Sequence, residues 1–140
     1  MRIIKYVFAF LLPFGATYAD CVKSPWVNLK DGPGKNFNTK WVVPKNTPLK
    51  VIQRKGSWFL IEEVDRVRSW VKSAALTDRY FCGIVKRERI KIQDYLTKRT
   101  KFAYYDESFK IIKIKQKKWV LVKNQLGTKG WAVKKSLWVH

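Results

Sequence analysis

Hydrophobic and polar positions alternate along this chain in short runs, and no window of helical length carries a clean 3.6-residue apolar stripe. In the first half the runs are Trp41-Val42-Val43, Leu49-Lys50-Val51-Ile52, Trp58-Phe59-Leu60-Ile61 and Ser69-Trp70-Val71-Lys72, punctuated by Pro44, Pro48, Gly56 and charged turns. In the second half they are Arg89-Ile90-Lys91-Ile92, Lys110 to Lys115, Lys118-Trp119-Val120-Leu121-Val122 and Gly130-Trp131-Ala132-Val133. Runs of β-branched and aromatic residues bounded in this way predict short strands and an all-β chain. Residues 73–76 and 134–137 each suit one 3₁₀ turn leading into a last strand.

The pattern repeats. Trp58, Trp70 and Leu76 recur as Trp119, Trp131 and Leu137, each 61 residues further on, and the neighbours agree at that offset. Two copies of one small unit are expected, at residues 20–78 and 79–140, with the boundary near Thr77-Asp78-Arg79. Several short strands per copy, with a tight Gly-Pro-Gly loop near the start of the first, describe small, partly open β-barrels. Units of about 60 residues are marginal at burying a core, so they are expected to pack on one another or to be stapled.

Ahead of the repeats, Met1-Arg2-Ile3-Ile4-Lys5 is followed by an apolar run from Tyr6 to Phe14 and by Gly15-Ala16-Thr17-Tyr18-Ala19. A basic start, a short apolar stretch and small residues predict a secretory signal peptide over residues 1–19 and a secreted or periplasmic, soluble product. The apolar stretch is too short for a bilayer, which takes about 20 helical residues. Asp20 stands where a lipid-attachment motif needs a small residue, which argues against a lipid anchor on Cys21.

Charge changes the picture further. The formal net charge is +20, and without Arg2 and Lys5 it is +18, of which the second unit carries +13. A field of that size favours polyanions: nucleic acid, anionic lipid or acidic wall polymer. Lysines alternating with apolar residues also solubilise and protect the wet face of a strand. The two readings differ in whether the cations cluster. Alternate strand residues share a face, so Lys113, Lys115 and Lys117 are expected to form a basic patch, and Arg89 and Lys91 to point together.

Val27 to Phe37, containing Asp31-Gly32-Pro33-Gly34-Lys35-Asn36, followed by Trp41 to Val51 and Trp58, resembles the bacterial SH3 (SH3b) domain family. The whole mature chain is similar to secreted tandem SH3-like proteins of proteobacteria, whose closing Gly-Trp and Leu-Trp are matched by Gly130-Trp131 and Leu137-Trp138. The family pattern has Arg at Lys30 and Gly at Ser69, and the second copy lacks the Gly-Pro-Gly loop. Lys at the first of these forfeits a planar, bidentate contact. The resemblance implies two tandem SH3-like barrels and a ligand groove beside the loop, formed by Lys30, Asp31, Asn36, Phe37 and Trp41. It also implies that first and last strands lie side by side, so Cys21 and Cys82 are expected to approach and form a disulfide.

Catalytic chemistry has little to draw on. The single histidine is His140, at the terminus, and two cysteines are too few for a cysteine-based metal site, so neither an enzyme, a metal nor a cofactor is expected. Gly32-Pro33-Gly34-Lys35 lacks the upstream Gly and the following Ser or Thr of a phosphate loop and reads as a tight turn whose glycines supply positive φ. Trp58, Trp70, Trp119 and Trp131 are expected to pack in the cores, and Trp26, Trp41 and Trp138 to be groove candidates. Basic and aromatic residues from Lys98 to Tyr105 would suit base stacking, but an exported address makes nucleic acid an unexpected partner. The expected function is recognition of peptidoglycan or another acidic envelope polymer. The alternative is an envelope adaptor that binds a protein or peptide through an open strand edge.

Overall fold

Short alternating strands bury an apolar face only by pairing and curling on themselves, and the chain does this twice. The computed structural model describes residues 19–139. The first sheet contains β1 (Ala19–Val22), β2 (Trp26–Lys30), β3 (Thr39–Pro44), β4 (Pro48–Lys55), β5 (Trp58–Glu62), β6 (Arg68–Lys72) and β7 (Leu76–Thr77). The second contains β8 (Phe81–Val85), β9 (Arg89–Asp94), β10 (Thr100–Tyr104), β11 (Ser108–Lys115), β12 (Trp119–Lys123), β13 (Lys129–Val133) and β14 (Leu137–Val139). Their orders are β3-β2-β6-β5-β4-β1-β7 and β10-β9-β13-β12-β11-β8-β14, the same topology in antiparallel pairing. A 3₁₀ turn precedes β7 at Ser73–Ala75 and β14 at Lys134–Ser136. The chain is therefore two tandem SH3-like β units. The assigned leader lies outside the described residues except for Ala19, which opens β1, buried opposite Lys50. His140 also lies outside them. Among the described residues no helix is long and apolar enough to cross a membrane.

The cores are aliphatic, not aromatic. Leu29, Leu49, Ile61 and Val71 are fully enclosed in the first unit, and Val85, Val120, Val122 and Ala132 in the second. The four repeated tryptophans, expected inside, lie on the outer sheet faces. Trp58 pairs with Lys72 and Trp70 with Leu60, while Val71 and Ser69 of the same strand point inward, and Trp119 is 37 % exposed. The interior of so small a barrel is filled by branched aliphatics, and the indoles cap the convex face instead.

Register shows that the 61-residue offset holds only for the later strands. Val22 opposes Leu76 as Val85 opposes Leu137, and Lys50 opposes Glu62 as Lys110 opposes Lys123. The difference arises at the Gly-Pro-Gly loop, closed by Asp31 N–H to Asn38 O, which the second unit replaces with a shorter connection closed by Asp94 N–H to Arg99 O, and again at the turn after β4, where Lys55 pairs with Trp58 but Lys115 with Trp119. Equivalent places are therefore Asn46 and Asp106, both at positive φ, and Glu63 and Asn124, whose backbones close matching turns.

Cys21 and Cys82 form a disulfide between β1 and β8, with Cα atoms 6.0 Å apart. Beside it Thr47 and Ser108 share a hydrogen bond of 3.2 Å. The contacts on the two sides of this seam are reciprocal. Gln125 Nε2 donates to Lys45 O on one side, and the equivalent residues Val64 and Tyr105 face each other across a cleft on the other. Such mutual exchange of equivalent patches is the mark of an approximate two-fold arrangement.

Candidate functional site

Five elements of the first unit converge on a groove of about 460 Å³. β2 supplies Trp26, Asn28 and Lys30, the ends of β5 and β6 supply Trp58 and Lys72, and the Gly-Pro-Gly loop supplies Lys35. Ala74 and Ala75 of the 3₁₀ turn form its small-residue wall. Trp26, opposite Pro44 at the start of β2, is 64 % exposed. No carboxylate lines this groove among the described residues, whereas three lysines do. It can offer flat apolar faces to a ligand and ammonium groups to that ligand's anions.

The loop is built around one ring. A Cβ at Gly32 would fall within the Phe37 ring, and one at Gly34 would lie 3.3 Å from it. Neither glycine adopts positive φ, contrary to the sequence expectation. Their requirement is close approach of the ring to the backbone. Lys30 reaches under the same loop, its Nζ donating to Lys35 O at 3.0 Å and Phe37 O at 3.2 Å. Lysine at this place thus acts as a loop clamp, and two of its three donors are engaged.

Of the five residues singled out from sequence, Lys30 borders the groove. Asp31 and Asn36 are exposed on the loop, and Phe37 is half exposed with its ring folded over the glycines. Trp41 does not join them. Its Nε1 donates to Glu63 Oε1 at 3.1 Å, which turns the indole toward the seam between the units. Trp58 and Lys72 are the groove residues that sequence reasoning missed. Their signal was the alternation of β5 and β6, which puts them directly opposite on the outer face.

Trp41 lines a cleft at the seam with Glu63, Asp65 and Asp106. Burial pushes the Glu63 carboxyl up to about 7; the Trp41 N–H opposes this, Asp65 and Asp106 add to it, and Lys40 opposes it. Its Oε2 is buried with no hydrogen-bond partner among the described residues. Asp106 is raised too, by burial and then by Asp65. Asp94 of the second unit is the opposite case, held well below the usual carboxylate range by hydrogen bonds from Lys101 and from the backbone N–H of Thr97 and Leu96.

The expected basic patch divides. Lys113 and Lys115 oppose Leu121 and Trp119 on the outer face of β11, with Lys115 Nζ 6.0 Å from the Trp131 ring centre. Lys117 does not share that face. β11 ends at Lys115, and Gln116 and Lys117 take φ of 54° and 57° in a tight turn closed by Lys118 N–H to Lys115 O. Two successive left-handed residues make the hairpin turn and end the alternation. Lys117 instead borders a separate hollow with Lys118, Lys134 and Lys135. In the second unit Arg89 stands at the place of Trp26, its guanidinium 4.6 Å from the Phe102 ring centre, so the aromatic groove is not repeated there.

Residues 23–78 match the family described as bacterial SH3 domain. Eight solved chains are similar to this one in structure. Among them NlpC2 and NlpC1 from Trichomonas vaginalis share 8% identity over 88% and 87% of this chain, with TM-scores of 0.40 and 0.38. An NlpC/P60 family protein from Bacillus cereus ATCC 10987 shares 10% over 86%, with a TM-score of 0.40. This chain spans 48%, 45% and 56% of those chains, about half of each. A search of curated proteins finds no match.

Proposed function

Residues 23–78 are a bacterial SH3 domain, and from that premise we propose that the protein is an exported, non-enzymatic binding module that recognises peptidoglycan or a similar acidic polymer of the cell envelope. The observation that carries this reading is the groove of the first unit, where exposed Trp26 and half-buried Trp58 stand among Lys30, Lys35 and Lys72. A glycan strand with peptide stems presents apolar sugar faces and free carboxylates, the two features that indoles and ammonium groups complement. Export rests on the leader assigned to residues 1–19. A thiolate nucleophile is not to hand, since both cysteines are consumed in the disulfide.

Co-sedimentation with purified sacculi tests the proposal. Wild-type protein is expected in the pellet, and a Trp26→Ala/Lys72→Glu variant is expected to lose about tenfold or more in affinity, the equivalent of one good contact. Equal pelleting of both proteins, or no pelleting of either, contradicts it.

A second reading, an envelope adaptor, draws on β3 and β10, which end their sheets and carry exposed Trp41, Val42, Phe102 and Tyr104. An added strand on such an edge is a common mode of peptide capture. Proline substitutions along β3 would then abolish partner capture and leave sacculus binding unchanged.

A further inference from the structure

The two clefts that flank the disulfide seam occupy equivalent places and carry opposite charge. On one side stand Glu63, Asp65 and Asp106. On the other, Asn124 takes the place of Glu63 and Asn46 that of Asp106, and four lysines line the walls: Lys23 and Lys45 from the first unit, Lys110 and Lys123 from the second. The cleft has a volume of about 340 Å³, within the roughly 300–1,000 Å³ typical of small-ligand sites.

The register makes this arrangement costly. In the first unit the row across β4, β5 and β6 reads Lys50, Glu62, Arg68, with the carboxylate between two cations and bound to Arg68 at 3.2 Å. The equivalent row across β11, β12 and β13 reads Lys110, Lys123, Lys129. Like charges directly opposite one another in a sheet are destabilising. Lys110 and Lys123 are half-buried, and among the described residues none of the four cleft lysines has a carboxylate within ion-pair distance. The walls are nevertheless ordered. Lys110 Nζ lies 4.5 Å from the Tyr80 ring centre, and the Tyr80 hydroxyl donates to Asn46 Oδ1 at 3.1 Å. Gln125 adds an amide at the rim, held by its bond to Lys45 O.

We propose that this cleft is an anion site for a ligand bearing phosphoryl groups, bridging the two units and distinct from the tryptophan groove. Four lysines lining one cleft match a compact, multiply charged oxyanion, for which lysine serves as a point-charge partner. Such a ligand neutralises the facing pair Lys110 and Lys123 and ties Lys23 and Lys45 to it across the seam. Solubility alone gives no reason for Lys123 to stand where the first unit has Glu62, or for Asn124 and Asn46 to stand where the acidic cleft has Glu63 and Asp106.

Sodium pyrophosphate is the probe, titrated against sodium chloride at matched ionic strength while amide signals and the thermal midpoint are followed. Pyrophosphate is expected to shift Asn46, Tyr80, Asn124 and Gln125 saturably and to raise the midpoint, as a ligand of the folded state does. Lys123→Glu, which restores the charge order of the first unit, should raise the midpoint without ligand and weaken pyrophosphate binding by about tenfold or more. Lys113→Gln/Lys115→Gln, on the outer face of the second unit, should leave binding within about twofold. A phosphodiester-linked polysaccharide forms a second arm. Binding of pyrophosphate assigns a soluble ligand, and binding of the polysaccharide alone assigns a polymer-borne one. Binding of neither, equal shifts with chloride, or equal losses in the Lys113/Lys115 variant overturn the proposal. The sacculus assay with the Trp26 variant fails or succeeds independently of all of these.

Discussion

Cys21 and Cys82 are bonded across the seam from non-equivalent places: Cys21 opposes Pro48 and Thr77, a position held in the second unit by Ile84, whereas Cys82 opposes Lys110 as Ala19 opposes Lys50. The bond is a staple between units and not a mirrored feature of each. Since it closes a long loop, it restricts the unfolded chain strongly. The Cys21→Ser/Cys82→Ser variant is expected to lose up to about 4 kcal/mol in urea unfolding on the chain-entropy account. An unchanged unfolding midpoint contradicts a stapling role.

Glu63 makes stability fall with rising pH in a defined window. Its folded-state value of about 7 lies above the ordinary 4.5, so the folded protein holds this proton more tightly than the unfolded chain. The associated stability is complete below the ordinary value and is lost as pH rises through the folded one. Relative to Glu63→Gln, wild-type protein should therefore lose stability between those two pH values. The Trp41 indole N–H, hydrogen-bonded to the same carboxylate, should titrate with a midpoint near 7 by NMR. A flat Trp41 signal from pH 5 to about 8, or a midpoint near that of a free carboxylate, contradicts the assignment.

Ser69 and Gly130 hold one place in the two units and should respond oppositely to alanine. Ser69 is buried and its Oγ has no hydrogen-bond partner among the described residues. Ser69→Ala removes that unsatisfied hydroxyl and should stabilise by about 1 kcal/mol. At Gly130 a Cβ would collide with Ile92 Cγ2 and come within 2.9 Å of the Gln93 carbonyl oxygen. Gly130→Ala should therefore cost about 1–3 kcal/mol, the usual penalty of overpacking. Denaturant midpoints that move in the same direction contradict this account.

The tryptophan repeat and the strand alternation made the duplicated β architecture legible, because periodicity reports pairing without needing the third dimension. It did not report which side of each strand faces in. Trp70 and Val71 are neighbours in sequence, and only the curl of the sheet decides that Val71 is buried and the indole is outside. Lys117 shows the same limit, since alternation stops at a turn that no Gly or Pro announces, and Gln116 and Lys117 take left-handed backbone without one. Lys30 and Trp41 were both legible as polar or aromatic groups near the loop, yet the clamp on Phe37 O and the bond to Glu63 depend on residues brought in by folding. The charge reversal between the two clefts was illegible for the same reason: Asn46 and Asp106 become comparable only once register replaces a uniform offset.

The most direct test of the groove assignment follows the indole N–H signals of the seven tryptophans while a soluble disaccharide-peptide fragment of peptidoglycan is titrated in. The account predicts saturable shifts at Trp26 and Trp58, which line the groove, with Trp41, Trp70, Trp119 and Trp131 unmoved. Shifts confined to Trp41, or no indole shift at saturating fragment, would contradict it.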